Sequence, residues 1–78
     1  MKITRIVEKT CSKVFNTSEA GPFIVQCTGR DCSVLYRGNV IAEFRGDVSE
    51  FCFKISNYLI CLEREDIVGV LGECTSQS

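Results

Sequence analysis

The sequence contains no histidine, which removes the commonest general base and every Cys-His or Ser-His nucleophile pairing. It has one proline in 78 residues and no low-complexity tract, and 45% of it is hydrophobic, the mixture of a folded chain. It also lacks a surplus of charge. Nine basic against ten acidic residues leave a formal net charge of −1, so the chain as a whole does not attract nucleic acid or acidic membranes, and either role would need a local patch. Long apolar runs are missing too: the stretch 58–62 is far shorter than a membrane span. Charges recur at Lys2, Arg5, Lys9 and Lys13 and leave no uninterrupted apolar core of a signal peptide. These absences lead us to expect one domain over residues 1–78, in the cytoplasm of its cell or host, with no membrane association. A domain this short is expected to draw only roughly 3–5 kcal/mol of net stability from its core.

Cysteine is abundant, with six in the chain. In a reducing compartment they read as free thiols packed as small apolar residues, with disulfides and zinc as the alternatives. Zinc sites pair their ligands closely. Here only Cys27 and Cys32 approach that spacing, and no second close pair or histidine completes a set. The expectation is therefore six reduced cysteines, no metal and no cofactor.

Wound at 3.6 residues per turn, residues 2–14 carry two stripes. Ile3, Ile6, Val7, Thr10, Cys11 and Val14 share one face, and Lys2, Arg5, Lys9 and Lys13 gather on a neighbouring arc. This pattern predicts an amphipathic N-terminal helix. Residues 16–22 follow as a loop ending in Gly-Pro. Three short apolar runs, 23–27, 32–36 and 40–44, are separated by Thr28-Gly29-Arg30-Asp31 and by Arg37-Gly38-Asn39, which have hairpin length and chemistry. They predict a three-stranded antiparallel meander.

Residues 47–62 support two readings. Asp47 and Glu50 have the spacing of a capping box, and Val48, Phe51, Cys52, Ile55, Tyr58, Leu59 and Leu62 make one helical stripe, so we read a second helix. A hairpin turning at Ser56 and Asn57 is the alternative; it would place Phe51, Phe53 and Ile55 on one face with Tyr58, Ile60 and Leu62. Residues 67–71 read as a final strand after the polar turn at Arg64, Glu65 and Asp66, and 75–78 as a frayed tail. The expected fold is α+β: a three- to four-stranded antiparallel sheet with an N-terminal helix and a second helix packed on it. With the hairpin, the meander would instead continue into a small SH3-like barrel behind an N-terminal helix.

Catalysis finds little to work with. Cys52, one turn past the proposed cap, is the cysteine closest to an activating helix N-terminus, but its spacing from Val48 and Ile55 makes it part of the apolar stripe. Glu63, Glu65 and Asp66 read as a solvated turn. Gly69 and Gly72 lack the strand-loop-helix setting of a phosphate loop. Two surfaces remain as partner-binding candidates: the basic arc of Lys2, Arg5, Lys9 and Lys13, and the pair Phe53 and Ile60, which would lie on the outer side of the second helix. The sequence therefore points to a small non-enzymatic protein-binding module, a regulator or inhibitor that occupies a partner's surface. Its size suits proteins carried by phages or mobile elements against host defence systems. A nucleic-acid-binding module using the basic helix face is the second reading.

Overall fold

A computed structural model describes residues 9–75 of the chain. Six strands and one helix follow in order: β1 (Thr10–Thr17), β2 (Gly21–Thr28), β3 (Asp31–Tyr36), β4 (Asn39–Arg45), β5 (Glu50–Ile55), β6 (Tyr58–Glu63) and α1 (Arg64–Thr75). β1 to β4 form a four-stranded antiparallel meander, and β5 and β6 form a separate hairpin. The inner faces of both sheets and of α1 share one core of Phe23, Val25, Cys27, Cys32, Val34, Phe44, Phe53, Ile55, Leu62, Ile67 and Val70.

The three strands read from residues 23–44 are present as β2, β3 and β4. Arg37 and Gly38, between β3 and β4, both have positive φ, as a type I′ hairpin turn requires. The rest of the expected α+β fold is overturned. The segment read as an N-terminal helix is strand β1 in its described part, paired with β2 from Thr10↔Thr28 to Thr17↔Gly21. Residues 2–8 lie outside the described residues. The β-branched Thr10, Val14 and Thr17 suit a strand better than a helix, and β2 pairs with β1 along its whole length and so satisfies the backbone groups on that side.

The second expected helix is the β5–β6 hairpin, turning at Ser56 and Asn57. Period-2 alternation wins because it buries Phe53 and Ile55 against Leu62 on one face, whereas a helix would leave Phe53 and Ile60 outside. The aromatic rings secure this face: Phe53 meets Phe23 edge-on at 5.4 Å, and Phe51 stacks on Phe44 at 4.5 Å. The hairpin does not extend the meander into an SH3-like barrel, since β4 and β5 are not paired.

The segment read as a polar turn at residues 64–66 and a strand over 67–71 is instead helix α1, which runs on to Thr75, the first residue of the expected tail. Ile67 and Val70 are fully buried and Leu71 is half-buried, a spacing of three and four that lays one stripe on the core. Glu65 and Asp66 occupy the first turn, where acids oppose the helix dipole. Asp66 Oδ2 accepts a hydrogen bond from the Glu63 backbone N–H at 2.9 Å, the reach-back half of a capping box. Arg64 Nη1 donates to the carbonyls of Gly46 and Val48, both at 2.7 Å, and so fastens the helix start to the β4–β5 turn. Residues 76–78 lie outside the described residues.

All six cysteines are paired, as Cys11–Cys74, Cys27–Cys32 and Cys52–Cys61, which overturns the expectation of six free thiols. The reason is register. Cys27 lies opposite Cys32 and Cys52 opposite Cys61, each pair with Cα atoms 4.0 Å apart, and directly opposed side chains on an antiparallel pair are close enough to join. The third bridge ties α1 to β1.

Candidate functional site

Antiparallel register places the residues of neighbouring strands in transverse rows, and alternate rows face opposite sides of the sheet. On the outer face of the meander, away from the core, one row is apolar throughout: Val14 opposes Ile24, Ile24 opposes Leu35, and Leu35 opposes Val40. It crosses the sheet from edge to edge. Val14 and Val40 are 63% and 58% exposed, far beyond core residues. A register shift between Val34 and Leu35 leaves Ile41 beside the row, also exposed. The next outer rows are polar: Ser12, Gln26, Ser33 and Glu43, then Thr10, Thr28, Asp31 and Arg45. In the last of these the Thr10 and Thr28 hydroxyls are hydrogen-bonded at 3.1 Å, and Arg45 lies 3.8 Å from Asp31.

The apolar row borders an open cleft of about 510 Å³, lined in part by Val14, Pro22, Ile24, Leu35, Tyr36 and Arg37. Its wall is held in place: the Tyr36 hydroxyl donates to the Ala20 carbonyl at 2.9 Å, binding the β1–β2 turn to β3. Thr17 Oγ1 accepts from the Ala20 N–H at 2.9 Å and donates to the Gly21 carbonyl at 3.1 Å, which closes that turn on itself. Arg37 lies over the Tyr36 ring at 5.3 Å and is the only charged lining residue of the cleft among the described residues. A row of exposed aliphatic side chains beside a pre-formed apolar cleft can receive apolar side chains of another molecule, and Arg37 can pair with an acid beside them.

The residues singled out from sequence are dispersed. Lys2 and Arg5 lie outside the described residues. Lys9 is exposed just before β1. Lys13 is exposed on the opposite side of β1 from Val14, its Nζ 5.6 Å from the Phe15 ring centroid and 3.3 Å from where a Cβ on Gly69 would stand. With β1 a strand, no helical arc joins these cations. Phe53 is buried and Ile60, its partner in register, half-buried, so they face the core and form no exposed pair. The apolar row was missed, although consecutive apolar residues at 23–25, 34–36 and 40–42 signal strands that are apolar on both faces.

Among the described residues, one group of side chains has the makeup of a metal site: Glu50, Cys52 and Cys61, with the two sulfurs joined to each other.

Fold and surface together define a small disulfide-bridged, mostly β domain with an apolar row across the outer face of its meander. No family model, curated protein or solved structure matches the chain.

Proposed function

We propose that the protein is a non-catalytic protein-binding module that acts by occupying a partner's surface through the outer face of its meander. The observation that carries this reading is the unbroken row of Val14, Ile24, Leu35 and Val40, in register across four strands, with Val14, Ile24 and Val40 exposed and Leu35 half-buried, while the two rows toward Thr10 and Arg45 are polar. A sheet with one buried face normally turns polar residues to water, and aliphatic side chains kept exposed in a contiguous patch mark contact surfaces. The partner is an apolar protein segment carrying an acidic residue to meet Arg37. Regulators and inhibitors that work by occlusion need no more than this.

Three bridges support an oxidising compartment for this action in place of the cytoplasm expected from sequence, because reducing compartments hold such cysteines as thiols. No described helix is long and apolar enough to cross a membrane.

Replacing Val14 and Val40 together by aspartate tests the reading. Both side chains are exposed, so unfolding free energy is expected to change by only about 1 kcal/mol or less. Affinity capture from an extract of the producing cells is expected to retain a protein on the unaltered chain with only a weak dependence on salt, and to lose it on the variant. Retention of nucleic acid that washes off steeply with salt, or capture by the variant equal to that of the unaltered chain, would refute the proposal.

A further inference from the structure

We propose that the outer face of the β5–β6 hairpin is a reduction-gated zinc site, in which Cys52, Cys61 and Glu50 become the ligands once the Cys52–Cys61 bridge is opened. On a strand, residues two apart share a face, so Glu50 and Cys52 point the same way, and Cys61 stands directly opposite Cys52. The carboxylate oxygen and the two sulfurs all lie within 4.8 Å of one another, and all three residues are exposed. Zinc with thiolate at about 2.3 Å and carboxylate at about 2.1 Å needs its tetrahedral ligand atoms about 3.6–3.8 Å apart. The carboxylate therefore stands close to its place already. The sulfurs must part by roughly 1.7 Å from bonding distance, a change within reach of side-chain rotation on directly opposed residues. Glu63, exposed and opposite Glu50 in register, or a water fills the fourth position.

Exposure selects this bridge over the other two. Thiol-disulfide exchange requires an attacking thiolate to reach a sulfur. Cys27 and Cys32 are 1% and 2% exposed, and Cys11 is 5% exposed with its partner Cys74 half-buried, whereas both members of the 52–61 pair face solvent. Opening it also spares the fold, since the β5–β6 ladder and the packing of Phe53, Ile55 and Leu62 remain.

The chemistry balances with a dithiol as reductant. One thiolate of the dithiol attacks a bridge sulfur and forms a mixed disulfide, and the second thiol displaces it. The reductant leaves as a disulfide, having given two electrons and two protons to Cys52 and Cys61. Zinc then replaces the two thiol protons, and Glu50 binds as carboxylate.

Limited treatment of the full chain with a water-soluble phosphine, which takes oxygen from water as it reduces the bridge, is expected to open Cys52–Cys61 first, as differential alkylation of one aliquot would read. After anaerobic desalting of a second aliquot that is not alkylated, one equivalent of Co²⁺ should give thiolate-to-cobalt charge-transfer absorption and tetrahedral visible bands, abolished by Zn²⁺, while the oxidised protein gives neither. Glu50→Gln keeps both thiols and should weaken Zn²⁺ binding on the order of tenfold or more, since even outer partners of a site are worth that much. Prior opening of another bridge, no metal retained by the selectively reduced chain, equal cobalt binding by the oxidised chain, or undiminished affinity in Glu50→Gln would each overturn the proposal.

Discussion

Replacing Cys11 and Cys74 together by alanine is expected to lower the unfolding free energy by about 4 kcal/mol, the loop entropy of a crosslink that closes most of the chain. The two cysteines are 63 residues apart, and theirs is by far the longest loop of the three. Cys27 and Cys32 are 5 apart and Cys52 and Cys61 are 9 apart, so by the same relation each of those bridges is worth only about 2–3 kcal/mol. A core of this size supplies roughly 3–5 kcal/mol net. Loss of the long bridge therefore removes about as much as the whole core supplies, and the variant is expected to unfold at a lower urea concentration than either of the other two double-alanine variants. The bridge also acts locally, because it pins α1, whose Ile67 and Val70 close the core, to β1 at the edge of the meander. Urea titrations of the double-alanine variants followed by circular dichroism would measure the ranking. A Cys11/Cys74 variant with the midpoint of the unaltered protein would remove the long bridge from the account of stability.

Phe53→Ala is expected to cost about 3–5 kcal/mol, the range for truncating a buried aromatic. Its ring is 7% exposed, meets Phe23 edge-on and stacks on Phe51 at 5.9 Å, so no neighbour can collapse into the space without leaving another. Leu59 supplies the control, because it lies on the outer face of the same hairpin and is 65% exposed. Leu59→Ala should change stability by only about 0.5 kcal/mol. The contrast reads the register directly, since a slip by one residue would exchange the inner and outer faces of a strand. Equal effects of the two substitutions would mean that the hairpin does not present its aromatic face to the core.

The meander was legible because its signals agree: β-branched and aromatic runs of strand length, separated by glycine-containing turns. The segments misread are those where two periods fit the same residues. In residues 47–62 a helical stripe leaves out Phe53 and Ile60, and the structure resolves the conflict in favour of the pattern that buries Phe53 and half-buries Ile60. In β1 the positions Cys11, Val14 and Thr10 satisfy a helical count, yet Val14 and Cys11 lie on opposite faces of a strand, one in the exposed row and one in a buried bridge. At α1, Gly69 and Gly72 lowered the intrinsic helix propensity. Packing of Ile67 and Val70 outweighs it, as burial of an amphipathic face commonly does.

The bridges follow the same lesson. A hairpin with Gly29 and Arg30 in its turn places Cys27 against Cys32, and the alternative hairpin turning at Ser56 and Asn57 places Cys52 against Cys61. The pairing was thus contained in the strand readings, but the compartment inferred from the N-terminal residues favoured thiols. The apolar row was hidden for a different reason. Its four members are far apart in sequence and become neighbours only through register, which is a property of paired strands and not of any one segment.

The central claim is that antiparallel register, stapled by three bridges, builds the sheet whose outer face carries the apolar row. Isolating the protein without reductant, blocking any free thiol by alkylation and mapping crosslinked peptides by mass spectrometry tests it most directly. The expected result is no alkylated cysteine and three linked pairs, Cys11 with Cys74, Cys27 with Cys32 and Cys52 with Cys61. Six alkylated cysteines, or any linkage that joins Cys27 or Cys52 to a residue other than its register partner, would contradict the strand pairing on which the apolar row depends.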